Sequence, residues 1–236
     1  NTPSVQGELF YGVKTCVPAF NFVDRKSGHA VKMFDTHYVA ALEEQLKTQG
    51  EGLLTGGSSY SNIFTGGTSE AHFCFAKMGW SGILHAVNPL VLPFLFILYI
   101  DIFIRTACLL VVELILAVVE SIRGVLHGKV LLKEMEFIYL RVLVCVLLRE
   151  FVAAGVYIDL IRGLPIIHLN LLGYDEQSHC RGPSSRFAHW SLQGIDDVIK
   201  RIHQMISRSP NREYDLWVYS DHGQEKTTPY ILKYGT

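Results

Sequence analysis

The sequence predicts an α/β fold, in which a mostly parallel sheet with flanking helices is interrupted by a long apolar helical hairpin. Toward the carboxyl end, a segment with helical periodicity lies between two short apolar runs, the pattern of a β-α-β unit. The middle of the chain is strongly apolar over a stretch far longer than a strand. We therefore assign residues 1–80 and 163–236 to the two parts of an α/β domain, and residues 81–162 to an insertion.

The composition narrows the class of protein. A formal net charge of −1 and a pI near 6.9 give no basic excess, so a nucleic-acid polymer is not an expected partner. Hydrophobic residues make up 49% of the 236 residues and charged residues 18%, which is more apolar than an ordinary soluble domain. The five cysteines are scattered and form no CxxC pair, as is typical of thiols in a reducing compartment.

The carboxyl-terminal zone carries the clearest pattern. Residues 164–172 (LPIIHLNLL) form a short apolar run, as expected of a strand buried on both faces. Ser184 and Ser185 can cap a helix that runs to about residue 207, and its apolar positions share one face. Those positions are Ala188, Leu192, Ile195, Ile199, Ile202 and Ile206. A second apolar run, residues 214–219 (YDLWVY), completes a unit whose two strands are parallel.

An aspartate and a histidine follow each of these predicted strands. Asp175 and His179 lie four residues apart in a predicted loop, and Asp221 and His222 are adjacent. The carboxyl ends of parallel strands lie on one edge of a sheet, where open α/β sheets bind ligands. Carboxylate oxygen and imidazole nitrogen together suit zinc or a similar transition metal. A single such pair is usually a turn residue beside a solvated histidine, but two pairs on one edge predict a two-metal site.

With these motifs, the chain resembles the alkaline phosphatase superfamily, specifically its type I phosphodiesterase/nucleotide pyrophosphatase branch. The shared stretches are YDEQSHCRGP and SDHG. The resemblance implies an alkaline-phosphatase-like fold and two divalent metal ions, zinc first and manganese as the alternative. It also implies that Asp175 and His179 bind one ion, and that Asp221 and His222 bind its neighbour.

The resemblance further implies a threonine or serine nucleophile at the start of a helix, with a glycine ending that helix ten residues later. The stretch TPSVQGELFYG fits, because Thr2 precedes Gly12 by ten residues. Thr2 can cap the helix, with Pro3 at the first helical position. A hydroxyl there lies at the positive end of the helix dipole, where phosphate groups bind. Without the resemblance, the pattern favours a plain Thr-Pro cap.

With these residues, the resemblance implies a metal-dependent phosphohydrolase that acts on phosphodiester or pyrophosphate bonds through Thr2 and two metal ions. The family supplies a further metal aspartate before the nucleophile and a last metal histidine well after SDHG. Neither can be placed between residues 1 and 236, and we therefore expect the chain to be a fragment. The alternative is a membrane-associated helical protein with an inactive phosphatase-like remnant. Diester and monoester substrates both stay open.

A stretch rich in glycine, serine and threonine, residues 53–70 (LLTGGSSYSNIFTGGTSE), is a candidate for contacting substrate. Its glycines would let backbone amides approach an anion, but no lysine follows them as in a P-loop. Ser58, Ser59 and Asn62 are the candidate substrate-binding residues. The alternative is a turn followed by a capped helix, and the residues favour neither.

The apolar insertion contains one stretch long enough to cross a bilayer. Residues 78–100 carry no formal charge over 23 residues. Five charged residues follow and fall on one arc of a helix, namely Asp101, Arg105, Glu113, Glu120 and Arg123. A turn near residues 127–129 (HGK) and a returning helix over residues 130–161 complete the predicted hairpin.

Charges are costly at the bilayer centre, which argues against a simple spanning hairpin. The helices either lie in the membrane interface or pack on one another and on a partner subunit, including a second copy of the chain. We expect residues 82–162 to bring the protein to membrane lipid as an integral or peripheral protein, with its active domain in the cytoplasm. Lipid-linked phosphate esters are then candidate substrates.

Overall fold

A computed structural model describes residues 2–14, 17, 19–25, 28–77, 100–126, 138, 142–209 and 211–227. The helices are α1 (Thr2–Tyr11), α2 (Thr36–Lys47), α3 (Ile100–Leu126), α4 (Arg149–Arg162), α5 (Tyr174–Arg181) and α6 (Arg186–Ile206). The strands are β1 (Asn21–Val23), β2 (Ala30–Lys32), β3 (Ser58–Tyr60), β4 (Glu70–His72) and β5 (Ile167–Leu169). A 3-10 turn covers Phe75–Lys77, and a π-helical turn, Leu143–Leu148, leads directly into α4.

The chain divides into two compact units. The first unit consists of Asn1–Val91, Ala154–Asn170 and His203–His222. The second unit consists of Leu92–Ala153, Leu171–Ile202 and Gly223–Thr236. Each unit is therefore assembled from segments that are distant in sequence. The division into three zones by composition stays a prediction.

The first unit contains a parallel three-stranded sheet in the order β4-β3-β5. Ser58 of the central strand lies opposite Glu70 of β4 and Ile167 of β5. A Cβ at Gly57 would meet the carbonyl oxygen of Ile166 at 2.0 Å, so only glycine lets these two chains approach so closely. β1 and β2 form a separate antiparallel pair. The predicted mixed α/β class, with parallel strands and helices, is thus confirmed.

Helices α1 and α2 pack on each other in the first unit and bury its core. Helix α2 begins after Asp35, whose carboxylate accepts from the backbone N–H of His37 at 3.0 Å and caps the helix. The buried apolar residues are Phe10, Tyr11, Val17, Met33, Val39, Leu46, Leu54, Ile63 and Phe64. The core thus fixes α1, the helix that begins at Thr2.

A buried carboxylate fixes the glycine-rich loop after β3. Glu43 of α2 is 3% exposed, and its Oε1 accepts from the Thr65 backbone N–H at 2.6 Å and from the Thr65 hydroxyl at 2.8 Å. The N–H of Gly66 donates to the same oxygen at 3.0 Å. Hydrogen bonds to a charged group are strong, so α2 holds this loop firmly. Burial, together with the Glu43 carboxylate, raises the pKa of the Tyr11 hydroxyl, which also donates to it.

Ion pairs anchor the end of α4 on the sheet of the first unit. The Tyr60 hydroxyl donates to the carboxylate of Asp159 at 2.6 Å, and Arg162 donates to it at 2.9 Å. Arg162 also donates to both carboxylate oxygens of Glu70, at 2.6 and 2.7 Å, and these bonds lower the pKa of Glu70. Asp159 is 1% exposed, and a buried charge is tolerated only when it is paired and hydrogen-bonded in this way.

Helix α3, in the second unit, contacts α6 through two residues of its polar stripe. Arg105 donates to the carboxylate of Asp197 on α6 at 3.0 Å, and the Trp190 indole donates to Glu113 at 3.0 Å. The opposite side of the helix exposes 41–59% of the surface of its apolar residues Ile100, Ile104, Val111, Val112, Leu114, Ile115, Val119 and Ile122. This is the reverse of a helix on the surface of a soluble domain, whose apolar side faces the core.

The predicted hairpin lies partly outside the described residues, which omit 78–99, 127–137 and 139–141. Within the described ranges, a long apolar helical hairpin is not found, and α3 contacts the π-helical turn instead. Where it is described, the returning segment begins with the apolar run Leu143–Leu148 and continues into α4, whose charged residues Arg149, Glu150 and Asp159 are buried. Among the described helices, none is both long enough and apolar enough to cross a bilayer.

The amphipathic helix predicted from residue 185 to residue 207 is confirmed as α6. In the apolar run before it, residues 164–172, only the three residues of β5 form a strand.

Two local predictions are wrong. Residues 174–181 form helix α5 rather than a loop, because the Glu176 carboxylate accepts from the backbone N–H of Gly173 at 2.6 Å and closes the first turn. Residues 214–219 are not a strand. Trp217 is 84% exposed there and Val218 64%, and an apolar run does not by itself supply a neighbouring strand.

Candidate active site

The first predicted metal pair lies on one helical turn. Asp175 and His179 are four residues apart on α5, so their side chains share a face. His179 Nε2 is 3.4 Å from Asp175 Oδ1. The side-chain amide of Gln224 also donates to Asp175. The carboxylate is 46% exposed and the imidazole 71%, so both groups are accessible from solvent.

The second pair lies on consecutive residues of an irregular segment. His222 Nε2 is 3.7 Å from Asp221 Oδ2, and the two side chains are 29% and 32% exposed. The Ser220 hydroxyl donates to the carbonyl oxygen of His222 at 2.6 Å, which closes a tight turn around Asp221. The turn holds the carboxylate and the imidazole side by side.

Each pair has the spacing of two ligands on one metal ion. Zinc ligands lie about 2.1 Å from the ion in a tetrahedron, so neighbouring ligand atoms are about 3.4 Å apart. The distances within the two pairs, 3.4 and 3.7 Å, match this value. Carboxylate oxygen and imidazole nitrogen are ligand atoms that zinc and manganese accept. Each pair can therefore supply two ligand atoms to an ion, and the metal site stays a prediction.

The two pairs belong to different units of the fold. Asp175 and His179 lie in the second unit, and Asp221 and His222 lie in the first unit together with Thr2. Among the described residues, no three histidine, cysteine, aspartate or glutamate side chains come close enough to hold an ion. Other groups would have to fill the remaining ligand positions.

A helix starts at Thr2, as predicted, but Thr2 is its first helical residue rather than its cap, and Pro3 is the second. At the other end of the helix, Gly12 has a φ of 66°, and its N–H donates to the carbonyl oxygen of Glu8 at 2.8 Å. Glycine ends a helix in this conformation at no steric cost, so the predicted stop is also confirmed. The first N–H groups of an α-helix have no partner within it, which makes the end at Thr2 suited to an oxyanion.

A hydrogen-bond network in the first unit joins α1 to the sheet. Gln6 of α1 donates its amide to Asn62 Oδ1 at 3.1 Å. Asn62 donates in turn to the Ser59 hydroxyl at 2.8 Å and to Nδ1 of His168 at 2.9 Å. The other ring nitrogen of His168 contacts the hydroxyl of Tyr219. The network therefore links α1, the end of β3, β5 and the segment that precedes Asp221 and His222.

The three candidate substrate-binding residues are fully buried. Ser58, Ser59 and Asn62 are each 0% exposed, and Ser59 and Asn62 take part in the network. The Ser58 hydroxyl has no hydrogen-bond partner among the described residues. Contact of the three with substrate stays a prediction. The sequence analysis did not identify Gln6 and His168 as members of this network. The only signal for His168 was its position in an apolar run, because a buried polar side chain needs a hydrogen-bond partner.

His168 is held as a neutral imidazole. Its Nδ1 accepts from the Asn62 amide, which leaves the proton on Nε2 to be donated to Tyr219. The ring of Phe10 packs edge-on against it, with 4.8 Å between ring centroids. Burial lowers the pKa of His168 to about 4, because the charged imidazolium loses its hydration.

Acid is expected to destabilise the protein through His168. The pKa of histidine is about 6.5 in an unfolded chain, so between about pH 6.5 and pH 4 the unfolded state binds a proton that the folded state does not. The free energy of unfolding should therefore fall by about 2–3 kcal/mol as the pH drops through this window, since one pKa unit is worth about 1.4 kcal/mol. Denaturant titrations across the window measure the change. In His168→Gln, which does not titrate, the dependence should flatten, and an unchanged slope would contradict this assignment.

Comparison with protein-family models, with curated proteins and with solved structures finds no match for this chain in any of the three. Function is therefore inferred from the residues and their geometry.

Proposed function

We propose that this protein is a metal-dependent phosphohydrolase that cleaves phosphodiester or pyrophosphate bonds, with a site like that of the type I phosphodiesterase/nucleotide pyrophosphatase branch of the alkaline phosphatase superfamily. The observation that carries the proposal is the spacing of the two Asp–His pairs, 3.4 and 3.7 Å, which suits two ligands of one ion. Thr2, at the first position of α1, supplies a nucleophilic hydroxyl. An alkaline-phosphatase-like fold is built on a mostly parallel sheet, and the parallel sheet β4-β3-β5 supports the proposal in this respect.

Thr2 acts as the nucleophile. Its Oγ1 forms a bond to phosphorus while the bond from phosphorus to the leaving oxygen breaks, and the hydroxyl proton passes to solvent. The N–H groups of the first turn of α1 stabilise the negative charge on the phosphoryl oxygens. Water then attacks phosphorus, the bond to Oγ1 breaks, and the threonine hydroxyl regains a proton. Two divalent ions, held by the two pairs when bound, would lower the pKa of the hydroxyl and offset the phosphoryl charge.

Hydrolysis of bis(p-nitrophenyl) phosphate tests the proposal. The full chain, loaded with zinc or manganese, is expected to release p-nitrophenol, and a chelator should abolish most of that rate because the ions activate the hydroxyl. Parallel assays with p-nitrophenyl phosphate distinguish a diesterase from a monoesterase. If the metal-loaded chain hydrolyses neither compound, the proposed activity is wrong.

We also propose that residues 82–162 bring the protein to membrane lipid as an integral or peripheral protein, with the active domain in the cytoplasm. The support is the orientation of α3, on which Arg105 and Glu113 contact α6 while apolar side chains such as Val111 and Ile115 are exposed. Exposed apolar surface is unfavourable in water by about 25 cal/mol per Å². Acyl chains at a membrane interface would cover this side of α3. Lipid-linked phosphate esters are then the substrates within reach.

Flotation with phosphatidylcholine vesicles tests the lipid proposal. The protein should float with the vesicles, and the double variant Val111→Lys/Ile115→Lys should lose most of this binding, because each lysine in an apolar lipid environment costs about 2–3 kcal/mol. Both positions are exposed, so folding should be retained. Leu192→Lys, at an exposed apolar position of α6, is the matched control and should still float. Unchanged flotation of the double variant would refute the role of α3 in lipid binding. A dimer in analytical ultracentrifugation would instead indicate that a second copy of the chain covers the apolar side of α3.

An inactive phosphatase-like remnant on a membrane-associated helical protein is the second candidate. It is favoured by the finding that, within the described ranges, no three candidate metal ligands lie together. The two candidates differ in the assay with bis(p-nitrophenyl) phosphate, where the remnant would float with vesicles but release no p-nitrophenol at any metal concentration.

A further inference from the structure

The segment that carries Asp221 and His222, the second Asp–His pair, is not part of the sheet. Within the described part of the first unit, residues 212–221 take part in no backbone-to-backbone hydrogen bond. Two apolar side chains of the segment, Trp217 and Val218, are 84% and 64% exposed, so they add little packing. The course of the segment therefore depends on the hydrogen bonds of its side chains.

Two tyrosine hydroxyls attach this segment to β5 and to the residues that lead into it. The hydroxyl of Tyr214 donates to the carbonyl oxygen of Leu164 at 2.8 Å. The hydroxyl of Tyr219, five residues later, contacts Nε2 of His168. Tyr219 lies two residues before Asp221, so its hydroxyl is the attachment that most directly sets where the second pair begins.

A chain of hydrogen bonds determines which nitrogen of His168 carries the proton. The backbone N–H of Ile63 donates to Oε1 of Gln6 at 2.8 Å, so Nε2 of Gln6 is the atom that donates to Asn62 Oδ1, at 3.1 Å. The amide nitrogen of Asn62 then donates to Nδ1 of His168 at 2.9 Å. Since Nδ1 accepts, Nε2 carries the hydrogen and donates it to the hydroxyl of Tyr219.

The imidazole of His168 is a rigid support for this last bond. Its ring packs edge-on against Phe10, with 4.8 Å between ring centroids, and Phe10 is 0% exposed in the core of the first unit. The bond from Asn62 fixes the rotation of the ring as well as its tautomer. A ligand group is held accurately only when the groups behind it are themselves locked by packing and hydrogen bonds.

We infer that Tyr219, through its hydrogen bond with His168, is a positioning residue for Asp221 and His222. The inference rests on the proposed function, because it assigns a role within the proposed metal site. Tyr219 itself contacts neither the ion nor the substrate, and it acts by fixing the chain two residues before the ligands. Without the hydroxyl, the segment loses this attachment, and binding of an ion has to order it.

Titration of the full chain with cobalt(II), followed by the visible absorption of the bound ion, tests the inference. Cobalt(II) belongs to the same affinity series as zinc and manganese. Asp175→Ala leaves the second pair to be measured alone, and Asp221→Ala leaves the first. Tyr219→Phe should weaken cobalt binding about tenfold in the Asp175→Ala chain, the lower end of the loss seen for outer-shell partners, and should not change it in the Asp221→Ala chain.

Tyr214→Phe is the matched control, because it removes a hydroxyl bond from the same segment seven residues before Asp221. It should lower the melting temperature about as much as Tyr219→Phe does, but it should keep cobalt affinity of the second pair within about twofold. If the two variants weaken cobalt binding equally, the effect is a general loosening of the segment and the inference is wrong.

A double-mutant cycle tests the part assigned to His168. His168→Phe keeps a ring in the core but removes both nitrogens, so Tyr219→Phe should cause no further loss of cobalt affinity in that chain. A further tenfold loss would show that Tyr219 acts without His168.

The same titrations distinguish failure of this inference from failure of the proposed function. If neither Asp175→Ala nor Asp221→Ala binds cobalt, and the wild-type chain does not either, the proposed metal site is wrong and the inference falls with it. If the Asp175→Ala chain binds cobalt equally well with and without the Tyr219 hydroxyl, the inference alone is overturned.

Discussion

Replacing Thr2 with alanine is expected to lower the rate of phosphodiester hydrolysis by at least about 10³-fold, because removal of a nucleophile eliminates the covalent route. Thr2 begins α1, and the first N–H groups of an α-helix, which have no partner within it, can bind phosphoryl oxygens. The rate of p-nitrophenol release from bis(p-nitrophenyl) phosphate measures the effect. Residual hydrolysis in the variant would then come only from water attacking the bound ester.

Thr2→Ser is the matched control for this experiment. A serine hydroxyl caps a helix as well as threonine does and can attack phosphorus in the same way, so the variant should keep activity within about tenfold. Both variants should bind the same amount of metal, since Thr2 is not one of the carboxylate or imidazole ligands. An alanine variant that is nearly as active as the serine variant would show that Thr2 is not the nucleophile.

The structural features that the sequence predicted best are local ones. The helix α6, the start of α1 at Thr2 and its end at Gly12 each depend on residues within a few positions of one another. Periodicity and capping residues carry that information directly. The strand predicted at residues 214–219 failed because a strand also needs a partner, and an apolar run says nothing about where that partner lies.

The predicted site shows the same limit. The two Asp–His pairs are four and one residues apart, so the sequence predicted that each pair lies together, although it placed Asp175 and His179 in a loop rather than on a helix. The network around Asn62 was not, because Gln6 and His168 are 56 and 106 positions away from it. Such contacts are fixed by the packing of α1 and β5 against β3, and no spacing rule predicts them.

For helix α3, the sequence predicted an arc of charged residues but not which side of the helix faces solvent. Its charged residues were expected on one arc, and an arc of charges normally faces water. In the structure, Asp197 and Trp190 of α6 provide partners for Arg105 and Glu113, so this part of the polar side faces α6. The side that faces outward is decided by these partners, which come from residues about 80 to 90 positions further along the chain.

Replacing Asp221 with alanine is expected to reduce metal affinity by more than about 10²-fold, because loss of an outer-shell partner alone already costs about 10–100-fold. Its neighbour His222, at 3.7 Å, would be left as the only ligand of its pair. Asp175→Ala should have the corresponding effect on the pair with His179. Asp215→Ala is the matched control, since Asp215 is exposed in the segment that leads to Asp221 and is not a proposed ligand.

Elemental analysis of the purified chain, dialysed against buffer containing zinc or manganese and then against metal-free buffer, tests the central claim most directly. The account predicts about two ions per chain in the wild-type protein and in Asp215→Ala, falling to about one in Asp221→Ala and in Asp175→Ala. A wild-type chain without metal above the level of the buffer, or unchanged metal content in both aspartate variants, would contradict it.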